Sequence, residues 1–177
     1  MGIINKLKDI FPRFYHHGCY EITPEIFIPS KYNKLTAFEI NASNCKEMKL
    51  SKNTVKMLIE QPDHFGGFGF RNADGNYVGY LFYMKRGGRE ILYNIKHVDI
   101  CLVALRVFDE YRGNSYSGEI MSYVIQYLFD NGAKTLYSMI KKQNKLSIMI
   151  NEKLGFRKIG DKRFIKMGNL IIPYHSL

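Results

Sequence analysis

The feature that most constrains the fold of this chain is a strand, a turn and a helix that follow one another from residue 102 onwards. Residues 102–108 are apolar, several of them β-branched or aromatic, and predict a largely buried strand. A small, polar stretch with two glycines follows at 109–118, and the apolar stripe from about 117 to 130 predicts a helix. Residues 133–140 predict another strand. Since strand–helix–strand connections normally join parallel strands, the chain should contain a parallel pair.

The turn at 109–118 has the composition of an anion-binding loop. A small-residue turn between a strand and a helix directs free backbone N–H groups towards a negatively charged ligand. The stretch contains neither the G-x-x-x-x-G-K-[ST] pattern of a P-loop nor the G-x-G-x-x-G pattern of a dinucleotide-binding fold. Taken alone, the segment is equally compatible with an ordinary turn that binds nothing.

The remaining pattern predicts an antiparallel meander before this segment and a helix with further strands after it. Strands are expected at 19–23, 35–40, 68–71, 77–85 and 91–108, with a helix at 53–61 and a loop at 63–67. Asp74-Gly75 is a strong hairpin signal. After residue 140 we expect a helix at 144–154, strands at 156–159 and 164–167, and a strand or tail at 169–177.

Length and composition indicate one soluble domain that spans residues 1–177. The three cysteines form neither a disulfide framework nor a zinc-ligand spacing, which favours a reducing cytoplasm. His16-His17 would point to opposite sides of a strand and have no third ligand nearby, so we expect no metal. There is no apolar run long enough for a transmembrane helix, and we expect no signal peptide.

The net charge of +10 and the pI near 9.4 indicate attraction to anions. A phosphorylated cofactor or substrate, nucleic acid and a membrane surface are all anionic. The basic residues are spread along the chain and no nucleic-acid-binding signature accompanies them, so we expect no nucleic-acid partner. A solvated basic surface is the alternative for most of these charges. An amphipathic helix at 3–10 could cap the core, lie on a membrane or pack against a second subunit of a homodimer.

Two segments resemble the motifs of the GCN5-related N-acetyltransferases. Residues 107–113, Val-Phe-Asp-Glu-Tyr-Arg-Gly, are similar to V-x-P-x-Y-R-G, and the loop at 112–117 is similar to the phosphate loop Q/R-x-x-G-x-G/A. Ser115 stands where that family has a glycine, and Ser117 stands where it has glycine or alanine. Residues 144–156 are similar to N-x-x-A/S-x-x-x-Y/N-x-K-x-G-F. The resemblance covers about 77–164, and the first half of the chain matches only in its order of elements.

The resemblance implies a single α/β (α+β) domain with a mixed, mostly antiparallel sheet and a central parallel pair flanked by helices. It also implies transfer of an acetyl group from acetyl-CoA to an amine. The implied cofactor-binding residues are Leu105, Val107, Arg112, Gly113, Asn114, Ser115, Tyr116, Ser117 and Asn144. Backbone N–H groups of the loop would bind the pyrophosphate, while Leu105 and Val107 would offer backbone groups to pantetheine. For Leu105 and Val107, an ordinary buried sheet is the alternative.

The catalytic candidates come from the strand before the loop and from the helix after it. The resemblance places the family's glutamate base at Cys101, and unbroken alternation puts Asp99 and His97 on the same face. Asp99 is the first choice as general base, directly or through a water, and His97 the second. A bulge would invert this face. Asn151 stands where the family often has a tyrosine acid. It can hydrogen-bond the sulfur or pantetheine but cannot supply a proton.

The sequence leaves the acceptor and two other function classes open. A small-molecule primary amine is expected, such as an amino sugar, and the positive charge favours an anionic one, such as a nucleotide-linked amino sugar. A protein N-terminus and a small polyamine are the alternatives, although a basic surface would repel a polyamine. The serines at 115 and 117 and Asn151 also fit a coenzyme-binding module that has lost turnover. The third class is a basic protein that binds anionic surfaces.

Overall fold

The computed structural model describes residues 12–30, 34–41, 43–45, 48, 50–86, 99–167 and 170–173. The strands are β1 (Arg13–Ile22), β2 (Thr36–Glu39), β3 (Phe65–Arg71), β4 (Tyr77–Lys85), β5 (Ile100–Val107), β6 (Leu136–Lys141), β7 (Arg157–Met167) and β8 (Leu170–Pro173). The α-helices of the described part are α1 (Lys52–Glu60), α2 (Tyr116–Asp130) and α3 (Lys145–Lys153). The helix predicted at 3–10 and the first part of the strand predicted at 91–108 lie outside the described residues.

One mixed sheet carries the fold, with strand order β2-β3-β4-β5-β6-β1-β7-β8. Strands β5 and β6, which flank helix α2, run parallel, while the other neighbouring strands pair antiparallel. The predicted parallel pair, mixed sheet and α/β class are therefore confirmed. The parallel pair lies at the centre, so the loop that follows β5 opens at the middle of the sheet.

Both faces of the sheet are covered by apolar side chains. Helices α2 and α3 pack on one face, where Ile120, Val124 and Ile125 are fully buried. Helix α1 packs on the other face and buries Leu58 against strand side chains. We call these the α2/α3 face and the α1 face. Since a strand alternates between them, each residue of the central strands can be assigned to one face.

The helices begin and end where local sequence predicts. The Ser51 hydroxyl accepts a hydrogen bond from the Thr54 backbone N–H at the start of α1, and the Asn144 side chain caps α3 through the N–H of Ser147. Helix α2 ends at Asn131-Gly132, where Gly132 has φ 88°. The three helices expected at 53–61, 117–130 and 144–154 are confirmed.

The loop expected at 63–67 is wrong in part, because β3 begins at Phe65. Gly66 and Gly67 lie opposite Tyr83 and Phe82 of β4. A Cβ atom at Gly66 would come within 2.7 Å of the Tyr83 hydroxyl oxygen, and a Cβ at Gly67 would collide with the Phe82 ring. The glycines therefore make room for the aromatic rings of the neighbouring strand and do not mark a turn.

The outer strands also differ from expectation. β1 begins at Arg13, six residues before the predicted start at 19, because residues 13–21 pair along β7. The two strands expected at 156–159 and 164–167 form one strand, β7. Gly160 and Asp161, predicted as a turn, pair with Cys19 and Gly18, and a register shift beside them bends the strand without breaking it. The undecided stretch at 169–177 contains β8.

The segment that precedes β2 is hydrogen-bonded to the helices of the α2/α3 face. The Glu119 carboxylate of α2 accepts hydrogen bonds from the backbone N–H groups of Lys34 and Leu35, and the Ser122 hydroxyl accepts one from Ser30. The Ile28 N–H donates to the carbonyl of Leu154. No helix in the described part of the chain is long and apolar enough to cross a membrane.

Candidate active site

The parallel strands β5 and β6 separate after three residue pairs. Ile100, Cys101 and Leu102 pair with Leu136, Tyr137 and Ser138, and the pairing stops there. Beyond that point a cavity of about 390 Å³ opens between the strands, lined by 102–105 of β5 and 138–141 of β6. Side chains from both faces of the sheet line it, including Asn151 from the α2/α3 face and His17 from the α1 face. The cavity therefore connects the two faces through the gap in the sheet.

The backbone of β5 leaves polar groups unpaired along this gap. The Phe108 N–H donates to the carbonyl of Val78 in β4, so the backbone groups of Phe108 point away from β6. Successive residues of a strand direct their backbone groups to opposite sides, so those of Val107 and Leu105 point towards β6. Neither residue has a partner in the β5–β6 register. These groups are free to bind an extended ligand that lies in the gap.

A β-bulge at Val103 changes the face of the sheet to which the following side chains of β5 point. Ala104 pairs with Phe82 and Leu102 with Tyr83, so Val103 is the extra residue between them. As a result Leu105 and Leu102 pack on the α2/α3 face, while Cys101 and Val103 pack on the α1 face. The expectation that residues 97–107 place alternate side chains on one unbroken face was therefore wrong.

Asp99 lies next to the start of β5, on the side of the bulge remote from the loop. Its side chain is 41% exposed and forms an ion pair with Arg86, with 3.1 Å between Oδ1 and Nη2. Burial raises the pKa of Tyr137 on the α1 face, and the negative charges of Glu21 and Asp99 raise this pKa further. Asp99 does not line the cavity, and His97 lies outside the described residues, so the role of each as a base stays a prediction.

The loop between β5 and α2 has the geometry of an anion site. Gly113 has φ 88° and Ser115 has φ 63°, so two nearby residues adopt left-handed backbone conformations. Ser115 is the N-cap of α2, and its side chain makes no capping hydrogen bond. The Gly118 N–H donates to the Ser115 carbonyl oxygen at 3.2 Å, while the N–H groups of Tyr116 and Ser117, in the first turn, have no intrahelical acceptor. Turns of this type form a concave nest of N–H donors, and the dipole of α2 adds partial positive charge.

The side chains of Arg112 and Asn114 are engaged within the loop itself. The Arg112 guanidinium lies 2.7 Å from the Asp109 carboxylate, and the Asn114 amide donates to the carbonyl of Tyr111. Both interactions hold the shape of the loop. The loop therefore presents backbone groups to a ligand, and the Arg112 side chain is directed to its own acidic neighbour.

A second cavity, of about 380 Å³, lies beside this loop. It is lined by Gly113, Ser115, Ser117 and Gly118, and on the opposite side by residues of α3 that include Ile150 and Lys153. Ile150 and Asn151 are consecutive residues of α3, and each lines one of the two cavities. The two cavities together extend from the loop to the gap within the sheet.

Asn144 and Asn151 extend from α3 into the first cavity. Asn144 caps the helix and lines the cavity wall. Asn151 is only 3% exposed, and its Nδ2 donates to the Ser147 carbonyl oxygen at 2.8 Å. Its Oδ1 has no hydrogen-bond partner. A buried amide oxygen without a partner is costly, so this atom is suited to accept a hydrogen bond from a bound ligand.

Sequence reasoning missed His17, which lines the first cavity from β1. The ring is only 5% exposed and stacks against Phe164 at 5.2 Å. Burial lowers the pKa of its imidazole below the usual 6.5, and Lys141 and His16 lower this pKa further. Its Nδ1 has no hydrogen-bond partner. No local sequence signal marks His17, because only the long-range pairing of β1 with β6 brings this residue to the gap.

Comparison with solved structures supports the fold. A Drosophila protein superposes with a TM-score of 0.66 at 12% identity, over 96% of this chain and 59% of that one. A GCN5-related N-acetyltransferase from Kribbella flavida gives 0.58 at 14% identity, over 90% and 61%. The aminoglycoside 6′-N-acetyltransferase AAC(6′)-Ih from Acinetobacter baumannii gives 0.51 at 15%, over 70% and 91%. The chain thus spans about three fifths of the first two structures.

The two comparisons made with the sequence alone gave different results. No curated protein sequence matches this chain. The sequence model of the acetyltransferase (GNAT) family matches residues 32–156, which include the loop at 112–117, the separated strands and helix α3. The match covers more than half of the chain and agrees with the two motifs and the architecture. This chain belongs to the GNAT acetyltransferase family.

Proposed function

We propose that this protein is an N-acetyltransferase that takes an acetyl group from acetyl-CoA and transfers it to a primary amine. The observation that carries the proposal is the gap between β5 and β6, together with the second cavity at the start of α2, where the Ser115 side chain makes no capping hydrogen bond. An extended chain with amide groups fits such a gap, and a pyrophosphate fits such a helix terminus.

The described residues fit the chemistry of coenzyme A. The backbone N–H groups from Gly113 to Ser117 would bind the pyrophosphate, and the Ser115 and Ser117 hydroxyls can donate to the same oxygens. The unpaired backbone groups of Leu105 and Val107 would bind the pantetheine amides as a neighbouring strand would. Asn151 Oδ1 would accept from a pantetheine N–H, and Asn144 lines the path between the two ends. Arg112, Asn114 and Tyr116 would hold the loop in place.

The chain would promote transfer chiefly by position and by proton transfer. The acceptor approaches through the α1 face of the gap, while the coenzyme lies against α2 and α3. Only the neutral amine can attack the thioester carbonyl, so a base must remove a proton. Asp99 and His97 are the bases that the family resemblance implies. Asn151 would orient the arm or the sulfur and would not supply a proton.

The acceptor we propose is an amino sugar that carries an anionic group, such as a nucleotide-linked amino sugar. Two structural neighbours are named as aminoglycoside 6′-N-acetyltransferases or shown with an acetylneamine-based bisubstrate analogue, which supports an amino sugar. Aminoglycosides are polycations, whereas this chain has a net charge of +10. Lys141 of β6 lines the cavity beside His17, and Lys162 of β7 lies opposite His17, so an anionic acceptor is favoured there.

Thermal unfolding with and without acetyl-CoA tests the coenzyme. Acetyl-CoA at about 100 times its dissociation constant should stabilise the protein by roughly 2.7 kcal/mol, which raises Tm by about 5–10 °C. Ser117→Asp should abolish this rise, because a carboxylate at the helix N-terminus repels phosphate while it favours the helix itself. Ser117→Asn is the matched neutral control and should retain the rise.

Release of CoA thiol with a panel of amines then tests transfer. The panel contains glucosamine, a UDP-linked amino sugar, kanamycin and spermidine. Preference for the UDP-linked amine supports the proposed acceptor, and preference for a polycation contradicts it. Coenzyme binding without transfer to any amine favours the coenzyme-binding module, and absence of a Tm rise at millimolar acetyl-CoA overturns the proposal.

A further inference from the structure

We infer that His17 is the general base that accepts the proton of the acceptor's ammonium group. The inference rests on the proposed acetyl transfer and goes beyond it, because it names a residue of β1 that neither sequence motif contains. His17 lines the cavity in the gap between β5 and β6. Among the described residues that line this cavity there is no carboxylate, and His17 is the one whose side chain accepts a proton near neutral pH.

The position of His17 follows from the register of three strands. It lies opposite Lys141 of β6 on one side and opposite Lys162 of β7 on the other. Opposite residues of neighbouring strands share a face, so His17 and Lys141 project from the α1 face. The coenzyme-binding groups Asn151 and Asn144 reach the same cavity from the other face. His17 is therefore on the side from which an acceptor would meet the thioester.

The ring is held in a fixed orientation. It stacks against two aromatic rings that also stack on each other, with ring centroids 5.2 Å from Phe164 and 6.1 Å from Tyr15 and interplanar angles of 12° and 19°. No hydrogen bond is made by Nδ1, and no described carboxylate contacts the ring. The ring is therefore oriented by packing, and no carboxylate of the described residues holds its proton.

The surrounding charges keep the imidazole neutral. Burial lowers its pKa most, followed by Lys141 and then by His16. The charged and titratable groups on its own face are Lys141 from β6, Lys162 from β7 and Tyr15 of β1, and His16 precedes it in β1 on the opposite face. The cationic neighbours oppose protonation, so His17 is in its proton-accepting form at neutral pH.

The proton and bond changes balance with no further reactant. The acceptor's R–NH₃⁺ transfers one proton to the imidazole of His17 and becomes R–NH₂. The amine lone pair forms the C–N bond to the acetyl carbonyl carbon, and the C–S bond breaks with its electron pair on sulfur. A second amine proton goes to the thiolate, which leaves as CoA–SH. His17 then releases its proton to solvent, and the products are R–NH–CO–CH₃, CoA–SH and H⁺.

The test compares His17→Gln and His17→Phe with His16→Gln, with glucosamine and hydroxylamine as acceptors. Phe keeps the aromatic stack and removes the base, whereas His16 is on the opposite face and serves as the control. Both His17 variants should keep the Tm rise with acetyl-CoA and lose roughly 100-fold or more in kcat with glucosamine. The loss should shrink at least tenfold with hydroxylamine, whose nitrogen is already unprotonated at neutral pH.

Chemical rescue supplies a readout that packing alone would not change. Exogenous imidazole should restore part of the rate of His17→Ala in a saturable manner and have no effect on the wild type. Unchanged kcat in both His17→Gln and His17→Phe overturns the inference while the acetyltransferase proposal stands. Equal losses with both acceptors, together with no rescue, also overturn it, because they indicate a structural role.

The remaining outcomes are also decisive. Absence of a Tm rise with acetyl-CoA in the wild type is a failure of the proposed function, and the inference falls with it. If the wild type binds acetyl-CoA but acetylates no amine, its slow hydrolysis of acetyl-CoA becomes the readout, since a base beside the thioester activates water as well. Hydrolysis that is absent, or equal in wild type and His17→Gln, overturns the inference.

Discussion

The Asn151 side-chain nitrogen donates to the carbonyl oxygen of Ser147 at 2.8 Å, and this contact fixes which atom of the amide faces the cavity. Because Nδ2 is used, Oδ1 is left without a partner in the wall of the cavity between β5 and β6. The helix therefore presents a buried acceptor at a defined point along the gap. This arrangement leads to the first prediction.

Asn151→Leu should weaken CoA binding by about three- to tenfold, because a hydrogen bond contributes roughly 0.5–1.5 kcal/mol. Leu has a similar shape, so we expect little change in the stability of the ligand-free protein. Isothermal titration calorimetry with CoA measures the loss. Adenosine 3′,5′-bisphosphate, which lacks the pantetheine arm, should bind both proteins equally. Equal losses for the two ligands would show that Asn151 does not act on the arm.

Ser115→Gly should raise stability by up to about 1 kcal/mol, or about 2–4 °C in Tm. Ser115 has φ 63°, a left-handed conformation that glycine adopts without the steric cost of a side chain. Gly113→Ala should have the opposite sign, because Gly113 has φ 88° and no neighbouring atoms that would make the substitution fail for another reason. Differential scanning calorimetry measures both shifts. Shifts of the same sign would contradict the strain argument.

The free energy of unfolding should fall as the pH drops below about 6.5, in part because of His17. Burial lowers the folded-state pKa of this imidazole below 6.5, so between that lowered pKa and 6.5 the unfolded chain binds more protons than the folded one. Stability from this group is complete above pH 6.5 and is lost as the pH falls towards the folded pKa. Asp161 acts in a separate, more acidic range, because its hydrogen bond with Lys158 lowers its pKa below 3.8.

Urea unfolding across this pH range, with His17→Phe and His16→Gln, measures the His17 contribution. The slope of stability against pH between about 5 and 6.5 should flatten in His17→Phe and persist in His16→Gln. An identical slope in wild type and His17→Phe would show that His17 does not titrate as described.

Gly155→Ala should destabilise the protein by about 2 kcal/mol or more. Gly155 has φ 99° and ends α3, and a Cβ atom there would collide with the carbonyl oxygen of Ile26. Gly160→Ala is the matched control, because a Cβ at Gly160 would meet no atom within 4 Å and its φ is ordinary. Thermal unfolding should show a large drop in Tm for the first variant and none for the second. Similar drops would contradict the steric argument.

Local sequence signals were enough for the helices, the parallel pair and the turn between β5 and α2. Each of these depends on residues that are near one another in the chain, such as the apolar stripe of 117–130 or the turn that contains Gly113. The start of β3 was missed because the pair Gly66-Gly67 is typical of a turn. In the structure, these glycines make room for aromatic rings of β4. That information lies in the neighbouring strand.

The Val103 bulge and the position of His17 at the gap could not be predicted either, because both depend on pairing with another strand. A bulge is a property of the pairing between β4 and β5, and nothing in the run Leu102-Val103-Ala104 marks it. His17 reaches the gap because β1, near the start of the chain, pairs with β6 more than a hundred residues later. The part of the site that was predicted is local, and the part that was missed is assembled by tertiary pairing.

The gap between β5 and β6 also divides the sheet mechanically. Strands β2 to β5 form one half and β6, β1, β7 and β8 the other, and within the sheet the two halves are joined by three residue pairs at one end. A ligand that lies along the gap would contact both halves where neighbouring strands of the sheet share the fewest residue pairs. The coenzyme would then serve as part of the scaffold that keeps the two halves in register, in addition to its role as a reactant.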